Sequence, residues 1–548
     1  MTAEAAQESF DYIIIGGGSA GSLLAERLSE DGRSRVCVLE SGPTDWHPFV
    51  SIPAGYIKIL FDPKMTWGFP TEASAGTNSR SIVLPQGRML GGSSSINGMV
   101  YSRGQPGDFD EWARRGNAGW GYDDILPYFK RTERRIGDGD DRYRGRTGAL
   151  PVTDLDGDYP LCEIFADGAE TLGLPRNRDY NGATQFGTGY SQRVIYRGRR
   201  VNAATAFLKK ARKRPNVEIR THTHVTRILL TGKRATGVRY LKGGEGGQPV
   251  DIHATREIIL SAGAINSPKV LQLSGIGDAG LLNGLGISVT HDLPGVGENF
   301  RDHYAARLVA RVKNIPTLNS RARGIPLGLE ILKWALGRPS IISVTPAMFY
   351  AFGKSSPELD APDIQCSFTP ASYKEGYLGV LEDYPGVTCG PYQQRPESQG
   401  YVRIRATEPF EKPVVQPNYL ADPLDQRVIV AGIRIARKLL TSPAMRPYFD
   451  CEEIPGPDCQ TDEELLDFAR SKGSTAYHLI GTCRMGKADD HLAVVDDQLR
   501  VHGISGLRVV DASVMPTMPS ANTYASTLMI AEKAADMIRG LAPLSPVI

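Results

Sequence analysis

The sequence predicts an α/β fold, and three observations carry that reading. A glycine-rich turn joins a strand-like segment to a helix-like one near the N-terminus. Short apolar runs at residues 12–15, 36–39, 258–260 and 507–510 have the length and composition of buried strands. A helical pattern closes the chain over residues 526–538, with Leu528, Ala531, Ala535 and Ile538 on one face.

The N-terminal elements follow in order. After the strand at 12–15 comes Gly16-Gly17-Gly18-Ser19-Ala20-Gly21. A helix is predicted next, with Leu23, Leu24, Ala25 and Leu28 apolar and Glu26, Arg27 and Glu30 polar. The strand at 36–39 then ends in Glu40. Gly16 permits the tight turn, Gly18 lets backbone approach a pyrophosphate, and Gly21 lets the helix sit close to the strand. The helix N-terminus offers unpaired N–H groups and partial positive charge to phosphate. An acid about 20 residues beyond the glycines accepts hydrogen bonds from ribose hydroxyls, and Glu40 has that place. This is a Rossmann-like dinucleotide site, and the motif does not separate NAD from FAD.

Composition bounds the rest. With 548 residues the chain holds two or three domains. Hydrophobic residues make 41% and charged residues 23%, with a net charge of +2, so neither nucleic acid nor an anionic membrane is expected as the main partner. The seven cysteines are odd in number and scattered without Cys-x-x-Cys, which predicts no disulfide framework, no metal site and a reducing compartment. Cys451 and Cys459 allow only a local clip. Residues 1–9 lack the basic and apolar parts of a signal peptide, so a cytoplasmic protein is expected. No apolar run reaches the roughly 18 residues of a membrane span. The nearest approach, residues 339–353, reads as a core or surface segment, with peripheral membrane contact as the alternative.

Two further runs bear chemistry. Gly87-Arg88-Met89-Leu90-Gly91-Gly92-Ser93-Ser94-Ser95-Ile96-Asn97 has the small residues of a loop whose backbone meets a ligand. Residues 263–277 follow the strand at 258–260, with Pro268 expected early in a helix. Near the C-terminus His478 opens a block that continues through Gly481, Cys483 and Arg484, then Asp511, Ala512 and Ser513, then Asn522 and Thr523. The other histidines singled out, His222, His224, His253, His491 and His502, have bland readings as surface or satisfied core residues.

The runs at 87–97 and 263–277 resemble, position for position, the two signatures of the glucose–methanol–choline (GMC) oxidoreductase family. With the N-terminal fingerprint and the C-terminal block, the resemblance spans about residues 11 to 540. It implies FAD and oxidation of an alcohol by hydride transfer to flavin N5. It places a catalytic histidine at His478 and a histidine or asparagine at Asn522. Imidazole suits the task, because an alkoxide gives up hydride far more readily than an alcohol and an ordinary histidine titrates near 6.5. Asn522 would orient the substrate oxygen. Cofactor contacts implied are Gly16, Gly18, Ser19, Ala20, Gly21, Glu40, Arg88, Gly91, Gly92, Ser93, Ser94, Asn97, Val225, Asp511, Ala512, Asn522 and Thr523. Relatives with covalent flavin use a histidine where this chain has Ile96, so FAD is expected to be non-covalent.

The same resemblance predicts a discontinuous FAD-binding domain over residues 10–155, 200–310 and 475–548. Residues 156–199 and 311–474 would form an inserted substrate-binding domain, an antiparallel sheet backed by helices. Strand-like alternation at 363–368 and 400–405 falls in the insert, and Tyr350, Phe368, Tyr373 and Tyr477 are candidates to face the pocket. The partners expected are a small alcohol and either O2 or a quinone- or dye-type acceptor, for a monomer or homodimer. A flavin-containing lyase that cleaves cyanohydrins is the alternative activity.

Overall fold

The computed structural model describes residues 8–374 and 379–547. The N-terminal segment read as lacking a signal peptide falls mostly at residues 1–7, outside the described residues. Ser9–Ile15 lies parallel between Val36–Leu39 and Gln248–Leu260 in a seven-stranded sheet. Val217–Arg220 extends that sheet on one side, and Leu507–Val509 pairs parallel with Gln248–Leu260. Ile13, Ile14, Val36, Val38, Ile258 and Ile259 are all wholly buried. Strands covered on both faces show such unbroken apolar runs rather than alternation. Arg234–Lys242 and Thr223–Thr231 complete the sheet antiparallel.

The parallel strands all end at one edge. Gly16, Glu40, Ser261 and Asp511, each one or two residues past a strand, are therefore neighbours there. Helix Ser19–Leu28 starts at the same edge and packs on helix Thr523–Arg539, burying Leu23, Leu24 and Leu528. Ligands of open α/β sheets bind beyond such carboxyl ends.

The second sheet has eight strands, and every pairing in it is antiparallel. Its main path runs Phe449–Ile454, Leu308–Val312, Gly386–Gln393, Ile364–Thr369, Phe349–Gly353, Gly187–Tyr190. Helix Pro423–Leu440 backs it through Val428, Ile429, Ile433, Ala436 and Leu439. That helix has clear terminal signals: Asp422 caps it, Pro423 opens it, and Arg437 and Lys438 lie in its last turn. The hydrophobic cores change over between Val296 and Tyr304, and again between Ala469 and Ile480. His303 and His478 sit at these two crossings.

The structure bears on several local expectations and corrects those for Pro268 and the 400–405 run. Pro268 lies inside helix Gly263–Leu273, not at its start. The carbonyl of Ala264, which a proline four residues on cannot serve, accepts the Thr482 hydroxyl at 2.6 Å instead. Residues 339–353 are largely core, the reading preferred above: Ile341, Met348, Phe349 and Phe352 are buried. In the 400–405 run, Tyr401–Arg403 pairs with Val414–Gln416 outside the large sheet. All seven cysteines are free, Cys451 and Cys459 included.

Candidate active site

One cavity of about 1090 Å³ runs from the glycine turn to His478. Ligand cavities span about 300–1,000 Å³, so this one has room for a dinucleotide and a small substrate. Its wall includes Gly16, Gly18, Ser19, Ala20, Glu40, Gly92, Ser93, Ser94, Ile96, Asn97, Val225, Asp511, Ala512, Asn522 and Thr523.

At the nucleotide end the wall is mostly backbone. Gly16 has φ +100°, and a Cβ there would lie 2.5 Å from the Ser261 carbonyl. A Cβ on Gly21 would lie 2.0 Å from the Gly16 carbonyl, so only glycine lets this helix approach its strand. At Gly18 a Cβ would meet nothing nearer than 3.9 Å, which leaves open space beside the helix N-terminus. Glu40 accepts the Gly17 and Gly42 N–H groups at 2.9 and 2.8 Å, and burial raises its pKa. Asp511 accepts from Gly263 N–H at 2.8 Å and from the Ser267 hydroxyl at 2.6 Å, tying the signature helix to the C-terminal block.

Three residues expected at the cofactor stand outside the lining. Arg88 lies over Trp67, which is itself in the lining, 4.8 Å from the ring centre. Gly21 and Gly91 act through tight packing, the latter against Ser95. Of the four aromatic candidates, Tyr350, Tyr373 and Tyr477 line the cavity. Phe368 does not; it stacks on Phe165 at 4.1 Å in the core, because its strand turns it toward the backing helices.

The other end is built from side chains. The Nε2 of His303 is 2.8 Å from the Gln394 carbonyl, which can only accept, so that nitrogen carries the proton. The neutral ring's Nδ1 must then accept, and its neighbour at 2.8 Å is Nδ1 of His478. His478 therefore holds its proton on Nδ1, and its Nε2 is a bare lone pair. The Asn522 amide nitrogen lies 2.8 Å from that lone pair and donates to it. Asn522 Oδ1 is buried without a hydrogen-bond partner among the described residues, an acceptor in want of a donor.

The backbone beneath is equally fixed. Asp302 accepts the His478 N–H at 2.7 Å, the Tyr419 hydroxyl at 2.5 Å and the Thr475 hydroxyl. Burial raises the Asp302 pKa to about 6 despite these donors. Tyr477 has φ +66°, a strained backbone for a bulky residue, and its N–H is held by Thr475 at 2.7 Å. Burial, and secondarily His303, lowers the His478 pKa well below 6.5, while burial takes His303 to about 4. Both rings are neutral at neutral pH.

Sequence reasoning missed His303, Asp302 and Gln394, which belong to no motif run. His224 is the satisfied histidine that was expected, but its place at the cavity was not foreseen. His224 lines the cavity, bridges Ser41 and the Pro409 carbonyl, and is lowered to about 4 by burial. Its position next to Val225, itself expected at the cofactor, was the available signal. Arg200 is a further omission: its guanidinium holds Asn97 Oδ1 at 2.7 Å and the Ser94 carbonyl at 3.1 Å. Among the described residues no group of three or more His, Cys, Asp or Glu is placed to hold a metal.

The family profile described as GMC oxidoreductase matches residues 10–305 and 396–531. An alcohol dehydrogenase (acceptor) of Pseudomonas putida is 39% identical over 96% of this chain and 95% of its own length. An oxygen-dependent choline dehydrogenase of Photobacterium profundum is 39% identical over 98% of this chain and 94% of its own. Among solved structures, pyridoxine 4-oxidase from Mesorbium loti superposes with a TM-score of 0.87 at 31% identity, covering 97% of this chain and 100% of that one.

Proposed function

The chain belongs to the GMC oxidoreductase family and is an FAD-dependent oxidoreductase acting on CH–OH donors, and from that premise we propose that it oxidises an alcohol to an aldehyde or ketone with His478 as base. The observation that carries the role of His478 is the tautomer chain from the Gln394 carbonyl through His303, which leaves the Nε2 lone pair of His478 at the cavity wall. FAD, when bound, accepts the hydride that leaves the carbinol carbon. The hydroxyl proton passes to Nε2 of His478, whose low pKa keeps it unprotonated and ready at neutral pH. An N–H of Asn522 donates to the substrate oxygen and fixes its direction.

The residues present fit the cofactor. Open space at Gly18, the helix N-terminus at Ser19, Ala20 and Gly21, and buried Glu40 suit the pyrophosphate and ribose. Val225 lies at the same end. Gly92, Ser93, Ser94, Asn97, Asp511, Ala512 and Thr523 would hold the flavin end. Ile96 lines the cavity and has no nucleophilic atom, so the flavin is read as non-covalent. Acid precipitation should leave a colourless pellet; a yellow pellet overturns this.

The cavity also bears on substrate. Glu40 and Asp511 are its only lining carboxylates among the described residues, and both are taken up by backbone N–H donors. Arg80, Arg307 and Lys374 line the rest, and Arg307 lies near Tyr56, Tyr373 and Tyr477. That charge favours neutral or anionic alcohols over a quaternary ammonium such as choline. A panel of alcohols that includes choline, read with O2 and with an artificial acceptor, tests both points. Anaerobic bleaching near about 450 nm by an alcohol requires flavin redox chemistry and excludes a lyase.

A further inference from the structure

Helix Gly324–Ala335 has its polarity reversed. Its single buried residue is Glu330, while Ile325, Leu329, Ile331 and Leu332 are 82%, 54%, 49% and 55% exposed. Leu336, just beyond, is 63% exposed. Ile325, Leu329, Leu332 and Leu336 recur at helical spacing and form one outward face. Glu330 is held inward by Arg321 at 3.0 Å, Lys333 at 2.9 Å and the Ile341 N–H at 3.0 Å. The helix is thus anchored by its acid and offers its apolar side outward. Isolated exposed leucines need no explanation, but a contiguous face of them marks an interaction surface.

Charge identifies the occupant. Arg321, Arg323, Lys333 and Arg338 lie in or beside the helix, against two acids, Glu330, which is turned inside and pairs with Arg321 and Lys333, and Asp383, which leaves a net positive charge. Asp383 pairs with Arg323 at 2.6 Å, and Arg199 lies over the ring of Trp334 at 5.2 Å. The whole chain carries only +2, so this cationic fringe is local. Apolar side chains ringed by Lys and Arg, with a Trp at the boundary, match the interfacial layer of an anionic bilayer. At 12 residues the helix is too short to cross one.

The helix is tied to the cavity wall at both ends. Arg323 donates to the carbonyls of Leu381 and Glu382 at 3.0 and 2.7 Å, and Leu381 bridges to Tyr373. Residues 341–343 pack on residues 53–55, which lead into Tyr56. Phe61 and Val83 line the cavity and are themselves 50% and 46% exposed. We propose that the Gly324–Ala335 face docks the enzyme in plane on an anionic phospholipid surface, with the cavity mouth beside the lipid.

The test is flotation of the flavin-loaded enzyme with vesicles of phosphatidylcholine alone or mixed with phosphatidylglycerol. The wild type should float with the mixed vesicles. Ile325→Ser/Leu329→Ser/Leu332→Ser should lose at least tenfold in bound fraction while keeping its flavin and its turnover of a water-soluble alcohol. Wild-type enzyme that stays in the aqueous layer with both vesicles overturns the proposal, as does a triple variant that floats like wild type. A wild-type dimer that the triple variant converts to monomer, without vesicle binding, assigns the face to a second copy and overturns it as well.

Discussion

The two ends of the cavity are made in different ways. The nucleotide end is a backbone surface in which glycines make room: Gly16, Gly18 and Gly21 matter for atoms they lack. The His478 end is a side-chain surface, in which each ring is oriented by the next, from the Gln394 carbonyl to Asn522. One end fails when an atom is added, the other when one is taken away. A backbone site binds any ligand of the right outline, whereas a tautomer chain sets where one proton goes.

The sharpest break of this contrast is His478→Ala. Turnover should fall by about 10²–10⁴ while flavin content is unchanged, since a positioned base has that worth. Steady-state kinetics beside the flavin-to-protein absorbance ratio decides it, and undiminished turnover sinks the assigned role. Gly21→Ala is the converse. A methyl 2.0 Å from the Gly16 carbonyl forces helix and strand apart, so the purified protein should lose most of its flavin. If it retains full flavin, the close approach is not what binds the nucleotide.

Smaller effects refine the side-chain end. Asn522→Ala should lower kcat by about 10- to 100-fold, the loss of one orienting hydrogen bond of roughly 1.5–3 kcal/mol to a developing charge. A change confined to KM would make Asn522 a binding residue only. The pH profile gives the finest test. His478 acts as a neutral base with its pKa lowered below 6.5, so kcat/KM should be flat near neutrality and fall as pH drops through that lowered value. His303 contributes to the lowering, so His303→Ala should move the acid limb upward toward 6.5. A limb that stays in place shows that His303 does not set the titration of His478.

Much of this architecture was legible because the informative residues are contiguous. The strand, glycine turn, helix and Glu40 lie within one stretch, and their physical roles need no distant partner. The polar clamp on His478 was not legible, because Asp302 and His303 lie far along the chain from it and no periodicity connects them. The crossing between sheets at Tyr304–Ala305 and Ser474–Thr475 brings them together.

By itself the sequence determined the α/β class and the strand–turn–helix of the nucleotide end, since both depend on short-range spacing, whereas the choice of His478 came from the resemblance of its block to the family's. Tertiary structure alone decided which nitrogen of His478 is bare, because a proton's place is set by the last acceptor in a chain of partners, here the Gln394 carbonyl. It also decided that Pro268 is tolerated inside a helix, because Thr482 serves the carbonyl that proline leaves unpaired. The apolar face of Gly324–Ala335 points outward for the same reason: Glu330 finds its partners inside the fold, and the helix must turn to let it reach them.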